Sequence, residues 1–250
     1  MKAFKYIIAA FAVALSLSAD AQVVLQGRIE YQRKMNIHRQ FDDFGDGEMN
    51  SYMEAFMAKL PKFDTRSFNY RFTTQQSRYE PIKQEENPAL SMMGGLPGTE
   101  TIVFSDFSRH QFVSQKKVFE QTFLLADSLK PFKWKVLDEV RTIAGYSCRK
   151  ASCRIHDSVV VVAFYTDQIP VSGGPEAFSG LPGMILEVAI PRLYTTWIAQ
   201  SVVLEAVGPD KLGVPEKGKK IAMKDAESTI RESTKNWGKF AEKYIWWTCL

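Results

Sequence analysis

Asp167, Glu176 and Glu187 lie along or beside one glycine- and proline-rich segment, Ile169 to Gly183. Carboxylates held near a rigid backbone are the raw material of general acid–base catalysis. Carboxylates beside turns are far commoner on plain surfaces, so the grouping by itself assigns no catalysis. Ser179 stands in Ala177-Phe178-Ser179-Gly180, which lacks the Gly-x-Ser-x-Gly spacing of a nucleophile elbow. His38, His110 and His156 fall in separate predicted strands or turns, a spread that argues against a shared metal or catalytic centre. No His-Glu-x-x-His run, paired-cysteine zinc motif, phosphate-binding loop or Rossmann glycine pattern occurs. The sequence therefore assigns no catalytic residue, no metal ligand and no cofactor, and reads as a non-enzyme.

Sulfur offers two further chemistries. Met49, Met53 and Met57 recur every four residues, with Met92 and Met93 in a later loop. Thioethers are soft ligands suited to Cu(I), but methionine is also an adaptable filler of apolar contacts, and such a stripe more often packs on a sheet. Cys148, Cys153 and Cys249 form an odd set for an oxidising compartment. An unbroken strand would hold Cys148 and Cys153 about 17 Å apart on opposite faces, whereas a disulfide needs Cα atoms within about 7 Å. A bond between them requires a bulge or turn. Otherwise Cys249 pairs with one of them, stapling the C-terminal helix to the sheet, or all three remain thiols. A structural disulfide explains Cys148 more simply than a cysteine nucleophile does.

The segment around the carboxylates has the most definite composition. Proline fixes φ and glycine admits φ > 0, so its alternation of glycine, proline and apolar residues specifies one defined loop. Its backbone amides form a candidate ligand- or partner-binding surface at Pro170, Gly173, Gly174, Pro175 and Phe178. The surface continues through Gly180, Leu181, Pro182 and Gly183. The competing expectation is a fold-defining strand connection. A second Gly95-Leu96-Pro97-Gly98 occurs upstream, but its flanks do not match, which favours two similar turns over a duplication.

These residues need elements to hold them. Val23–Ile37 and Arg66–Tyr79 alternate with period two and predict half-buried strands. Glu48–Leu60 has helical spacing and Pro61 ends it. Residues 80–98 read as a long loop. Strands are predicted at Thr101–Phe107, Gln111–Phe119, Glu120–Leu125, Trp134–Val140, Ala144–Ile155, Val159–Tyr165, Met184–Ile190 and Tyr194–Val207. Strands at this spacing without intervening helices predict a curved antiparallel sheet or half-barrel. Ile230, Trp237, Phe240, Ala241 and Tyr244 then predict one amphipathic helix over about Lys224–Tyr244, packed on the sheet. The fold class is mainly β (α+β).

The N-terminus predicts export. Lys2 and Lys5 precede an apolar run from Tyr6 to Leu17, and Ala19-Asp20-Ala21 is a small-x-small site for cleavage between Ala21 and Gln22. The run is shorter than the roughly 20 residues a membrane span needs, and no lipoprotein cysteine follows it. Residues 22–250 are expected to form one domain. The formal charge of +4 drops to +3 once two lysines and one aspartate leave with the signal, too mild to imply nucleic acid.

Ordered blocks carry a family resemblance. Trp134-Lys135-Val136 is followed by Ile143-Ala144-Gly145-Tyr146-Ser147-Cys148-Arg149-Lys150-Ala151 and then by Ala163-Phe164-Tyr165-Thr166-Asp167-Gln168-Ile169-Pro170. Phe178-Ser179-Gly180-Leu181-Pro182-Gly183-Met184-Ile185 closes the series. Together they resemble the GLPGLI family of exported bacterial proteins, with Met184 where the family name has its second leucine. The resemblance implies an exported β-rich protein and no particular reaction. The expected role is a periplasmic binding or carrier module for an apolar ligand or an outer-membrane protein partner. The alternatives are a hydrolase or a copper-handling protein.

Overall fold

The computed structural model describes residues 25–41, 51–85, 87–92, 95–118, 120–155, 158–235 and 239–250. The signal segment with its Ala21–Gln22 site, Met49, Met93, His156 and Trp237 lie outside them. So do the side chains of Met53, Met92, Phe240 and Cys249.

Twelve strands form one mixed sheet that is not closed into a barrel. They are β1 (Gly27–Asn36), β2 (Phe63–Phe72), β3 (Gln76–Pro81), β4 (Ile102–Asp106), β5 (Gln111–Val118), β6 (Gln121–Ser128), β7 (Lys135–Ile143), β8 (Tyr146–Ile155), β9 (Val159–Thr166), β10 (Met184–Ile190), β11 (Thr195–Leu204) and β12 (Lys219–Ile221). Their order is β12-β6-β5-β4-β3-β2-β1-β11-β10-β9-β8-β7. The sheet curls strongly enough that β7, at one end of the order, also lies against β11, four places along.

Helices α1 (Ile37–Phe41), α2 (Ser51–Met57) and α3 (Pro88–Met92) are short. At the C-terminus α4 (Met223–Ser233) and α5 (Lys239–Cys249) pack together, and α4 also touches β6.

Alternation determines which side chains enter the core. Ile29, Tyr31, Arg33 and Met35 of β1 face inward, as do Phe68, Tyr70 and Phe72 of β2 and Tyr79 of β3, all at most 1 % exposed. Across β11, Trp197 joins them and donates from Nε1 to the Tyr79 hydroxyl at 3.0 Å. One contiguous hydrophobic cluster runs through this inner face.

Several elements differ from their sequence reading. Arg66–Tyr79 is two strands, because Thr73 turns the chain: its Oγ1 accepts the N–H groups of Gln75 and Gln76. Ala144 and Gly145, both at positive φ, form a two-residue hairpin turn rather than the start of a strand. The helix predicted over Lys224–Tyr244 is two helices. Ser228, Thr229, Ser233 and Thr234 each bond back to the carbonyl four residues earlier, a pattern that weakens a helix, and Thr234 caps the first one. β12 pairs in parallel with β6, so the sheet is mixed where an all-antiparallel one is expected.

Candidate functional site

The loop from Ile169 to Gly183 enters the hollow that the sheet curls around. Tyr31 Oη donates to the Ile185 carbonyl at 2.5 Å, and the Ile185 N–H donates to the Gly173 carbonyl at 2.8 Å. A Cβ at Gly173 would collide with the Tyr70 hydroxyl. Gly183, at φ +154°, leaves no room for a Cβ against the Thr166 carbonyl. Phe178 is 2 % exposed and packs on Phe132 with ring centroids 5.3 Å apart, while Trp134 Nε1 donates to the Ser179 carbonyl at 2.8 Å. The two GLPG turns are separate features of the chain, each with positive φ at both glycines.

This placement alters the reading of the loop as a binding surface. Gly173, Gly174, Pro175, Phe178, Leu181 and Gly183 are buried, and only Pro170, Gly180 and Pro182 of the nine candidate residues are exposed. Most of its backbone is therefore packed against the protein's own side chains.

Glu176 adopts φ 54° at the loop's inner end and is 2 % exposed. Its Oε2 lies 3.7 Å from Nζ of Lys116, an ion-pair distance longer than a hydrogen bond. Burial pushes the Glu176 carboxyl above its ordinary range, and the Lys116 and Arg33 charges offset part of that rise. Arg33, fully buried, donates to the Pro97 carbonyl at 3.0 Å and approaches Asp64 Oδ2 at 3.6 Å. Two cations and two carboxylates thus share one internal layer.

Proton-transfer chemistry needs a substrate beside this layer, and access is narrow. The space lined by Lys116, Thr101 and Trp247 measures about 20 Å³, and a neighbouring one beside Lys243 about 10 Å³. That is room for about one water molecule.

The other titratable candidates do not join it. Glu187 pairs with Arg141 at 3.0 Å, and that guanidinium also lies 3.6 Å over the Phe164 ring. Burial raises the Glu187 carboxyl, with Arg141 opposing. Asp167 is exposed. Nε2 of His38 lies 3.1 Å from the Leu60 carbonyl, and His110 is exposed. Among the described residues no three His, Cys, Asp or Glu side chains converge as a metal site.

Cys148 and Cys153 are both buried free thiols on the unbroken strand β8, so the bond between them does not form. Burial pushes their thiols up to about 11 and about 12 respectively, which disfavours the nucleophilic thiolate. Of the methionine stripe, Met57 is buried in the core.

A roomier feature lies on the outer face of the sheet. After β11 the chain crosses that face as a strap, residues 205–218, whose turn Pro209–Leu212 rests on β2 and β3. Arg78 of β3 ties it down by donating to the Gly213 carbonyl. The strap then ends in β12. Between it and the sheet runs an open groove of about 820 Å³ lined by Val113, Leu124 and Ala126 of the sheet and by Val214, Pro215, Ile221 and Ala222 of the strap side. Glu216 and Lys220 complete the lining.

Sequence reasoning did not identify this groove, because a three-residue strand has no readable period. One signal was present: Phe123, Leu124 and Leu125 are consecutive and all buried, the pattern of a strand covered on both faces.

Comparison with known proteins gives a partial family match and a distant fold likeness. The sequence model of a family described as "Protein of unknown function (Porph_ging)" matches residues 152–187, which comprise the end of β8, all of β9, the inner loop and the first half of β10. No curated protein matches the chain. Two solved structures of PNGF-II, in space groups C2 and P21, each superpose with a TM-score of 0.52 at 15 % identity. The alignments cover 83 % of this chain and 33 % of theirs, so it spans about a third of their length. At that identity the likeness is one of fold alone. An uncharacterized conserved protein from Thermus thermophilus gives 0.40 at 6 % identity, over 84 % of this chain and 99 % of that one, too low to carry an argument.

Proposed function

We propose that this protein is an exported, periplasmic binding module of the GLPGLI type that holds an apolar ligand in the groove beneath the 205–218 strap. The observation that carries this reading is the groove's lining: mostly valine, leucine, alanine and proline residues around about 820 Å³. Small-molecule sites typically occupy about 300–1,000 Å³ with mostly apolar walls. The inner hollow, where a half-barrel carrier would hold its cargo, is filled by the loop around Phe178 and by Trp247 packed on Trp197 with ring centroids 5.7 Å apart. Export rests on the N-terminal segment. A partner protein docking on the 169–183 loop draws less support, because six of its nine candidate residues are buried.

Titration with the neutral, environment-sensitive dye Nile red tests the proposal. Saturable fluorescence enhancement is expected for the mature chain, with loss of that signal in Ala126→Trp, whose indole would occupy the groove. Equal enhancement in both proteins would overturn the assignment.

A further inference from the structure

The charges around the groove indicate which apolar ligands it selects. From Gly213 to Lys224 the chain carries Lys217, Lys219, Lys220 and Lys224 against the single acid Glu216. All four lysines are exposed, and none forms an ion pair with a described residue. Two other exposed or half-buried lysines of the sheet are committed: Lys117 pairs with Glu100 at 2.9 Å and Lys150 pairs with Glu139.

Strand register distinguishes these lysines. β12 pairs in parallel with β6 so that Lys219 stands opposite Phe123 and Lys220 opposite Leu124. Paired residues project to the same face of a sheet and neighbours along a strand to opposite faces. Lys220 therefore shares the outer face with the groove residue Leu124, whereas Lys219 points with Phe123 toward the inner face. The groove thus has apolar walls and an unpaired ammonium at its strand-side rim.

We infer that the groove binds single-chain anionic amphiphiles, with the apolar body against Val113, Leu124 and Ala126 and a carboxylate or phosphate head at Lys220. This rests on the groove reading above and specifies its ligand class. An ammonium that loses no existing partner when an anion arrives favours that anion over a neutral head of equal size. The preference is moderate, because Lys220 remains solvated and salt screens it.

Competition against Nile red separates the two levels of the argument. Dodecanoate and dodecanol, used as monomers at low salt and pH 8, share a chain and differ in head charge. Dodecanoate is expected to displace the dye at about tenfold lower concentration, the ratio that about 1.4 kcal/mol of head-group interaction produces. Lys220→Glu closes that gap chiefly by weakening dodecanoate, and Lys219→Glu, on the opposite face, preserves most of it. Ala126→Trp removes both ligands. Equal potency of the two ligands on the unaltered protein overturns the anion inference while leaving the groove reading standing. So does a carboxylate preference that survives Lys220→Glu, or failure of both to displace a dye that itself binds. Absence of any dye binding overturns the groove reading itself. Thermal unfolding of each variant verifies that it folds.

Discussion

Arg33 on β1 donates from Nη1 to the carbonyl of Pro97, 64 residues later in the chain, at 3.0 Å. The same guanidinium lies 5.4 Å from the Phe68 ring centroid and 5.5 Å from that of Trp247. One side chain thus joins the first strand, the earlier GLPG turn and the C-terminal helix. Glu176, just ahead of the later GLPG turn, faces the same layer through Lys116, whose Nζ donates to the Trp247 carbonyl at 3.2 Å.

Removing that cation leaves Glu176 with Lys116 as its paired charge and Asp64 with Arg66 at 3.1 Å, but strips the Pro97 carbonyl of its buried donor. Arg33→Met should lower the unfolding free energy by about 2–3 kcal/mol, the cost of losing a buried charged hydrogen bond and leaving its acceptor unsatisfied. Arg28→Met, which breaks an ion pair with Glu205 that is about one-third to one-half exposed, should cost at most about 1 kcal/mol. Urea unfolding of the two variants checks the contrast; equal losses would show that the buried layer contributes nothing special.

Stability should depend on pH through Glu176. Its carboxyl titrates higher in the folded chain than in the unfolded one, chiefly because it is buried. Between those two values the folded chain holds a proton that the unfolded chain has lost. Its contribution is therefore fully present below the ordinary carboxylate range and is lost as pH rises through the raised value. Glu187 acts in the same direction. Urea unfolding between pH 4.5 and 8 should show a shallower decline in Glu176→Gln than in the unaltered chain. A steeper decline in the variant would reverse the assigned sign.

Loop packing predicts unequal tolerance among glycines. Gly183→Ala meets the Thr166 carbonyl from a backbone conformation that side chains rarely adopt, and should cost about 3 kcal/mol or more. Gly213 on the strap has ordinary φ and nothing within 4 Å of where an added methyl group would sit, so Gly213→Ala should change stability by less than about 0.5 kcal/mol. Thermal or urea midpoints distinguish the two directly.

Thiol reactivity provides a fourth, chemical readout. In a Cys249→Ser background, Cys148 and Cys153 should be silent toward a disulfide reagent at pH 8 while the chain is folded. Both should react after denaturation in urea, giving two equivalents. Raised thiol pKa values and burial set the folded result. No reaction after denaturation would reveal a bond between them.

Much of the sheet is legible locally. The run Met184–Ile190 coincides with β10, and Gln111–Phe119 and Val159–Tyr165 match β5 and β9 to within a residue or so. Those strands announce themselves because alternation and β-branched runs are properties of neighbouring residues. The glycine–proline loop is equally plain as a loop. Its burial is not, since the same composition suits an exposed connection and one held against Tyr70 and Thr166.

The chain's own order of residues determines a β-rich protein with a defined 169–183 loop and apolar patterning for an inner face, because period and turn chemistry act over a few residues. Tertiary structure alone decides three other things. It turns the loop inward onto Lys116, it adds the Lys219–Ile221 strand in parallel to β6, and it lays the strap across the outer face to form a groove with Lys220 at its rim. Each is a contact between segments tens of residues or more apart. Such contacts are selected by the shape, charge and burial of surfaces that exist only once the sheet has assembled.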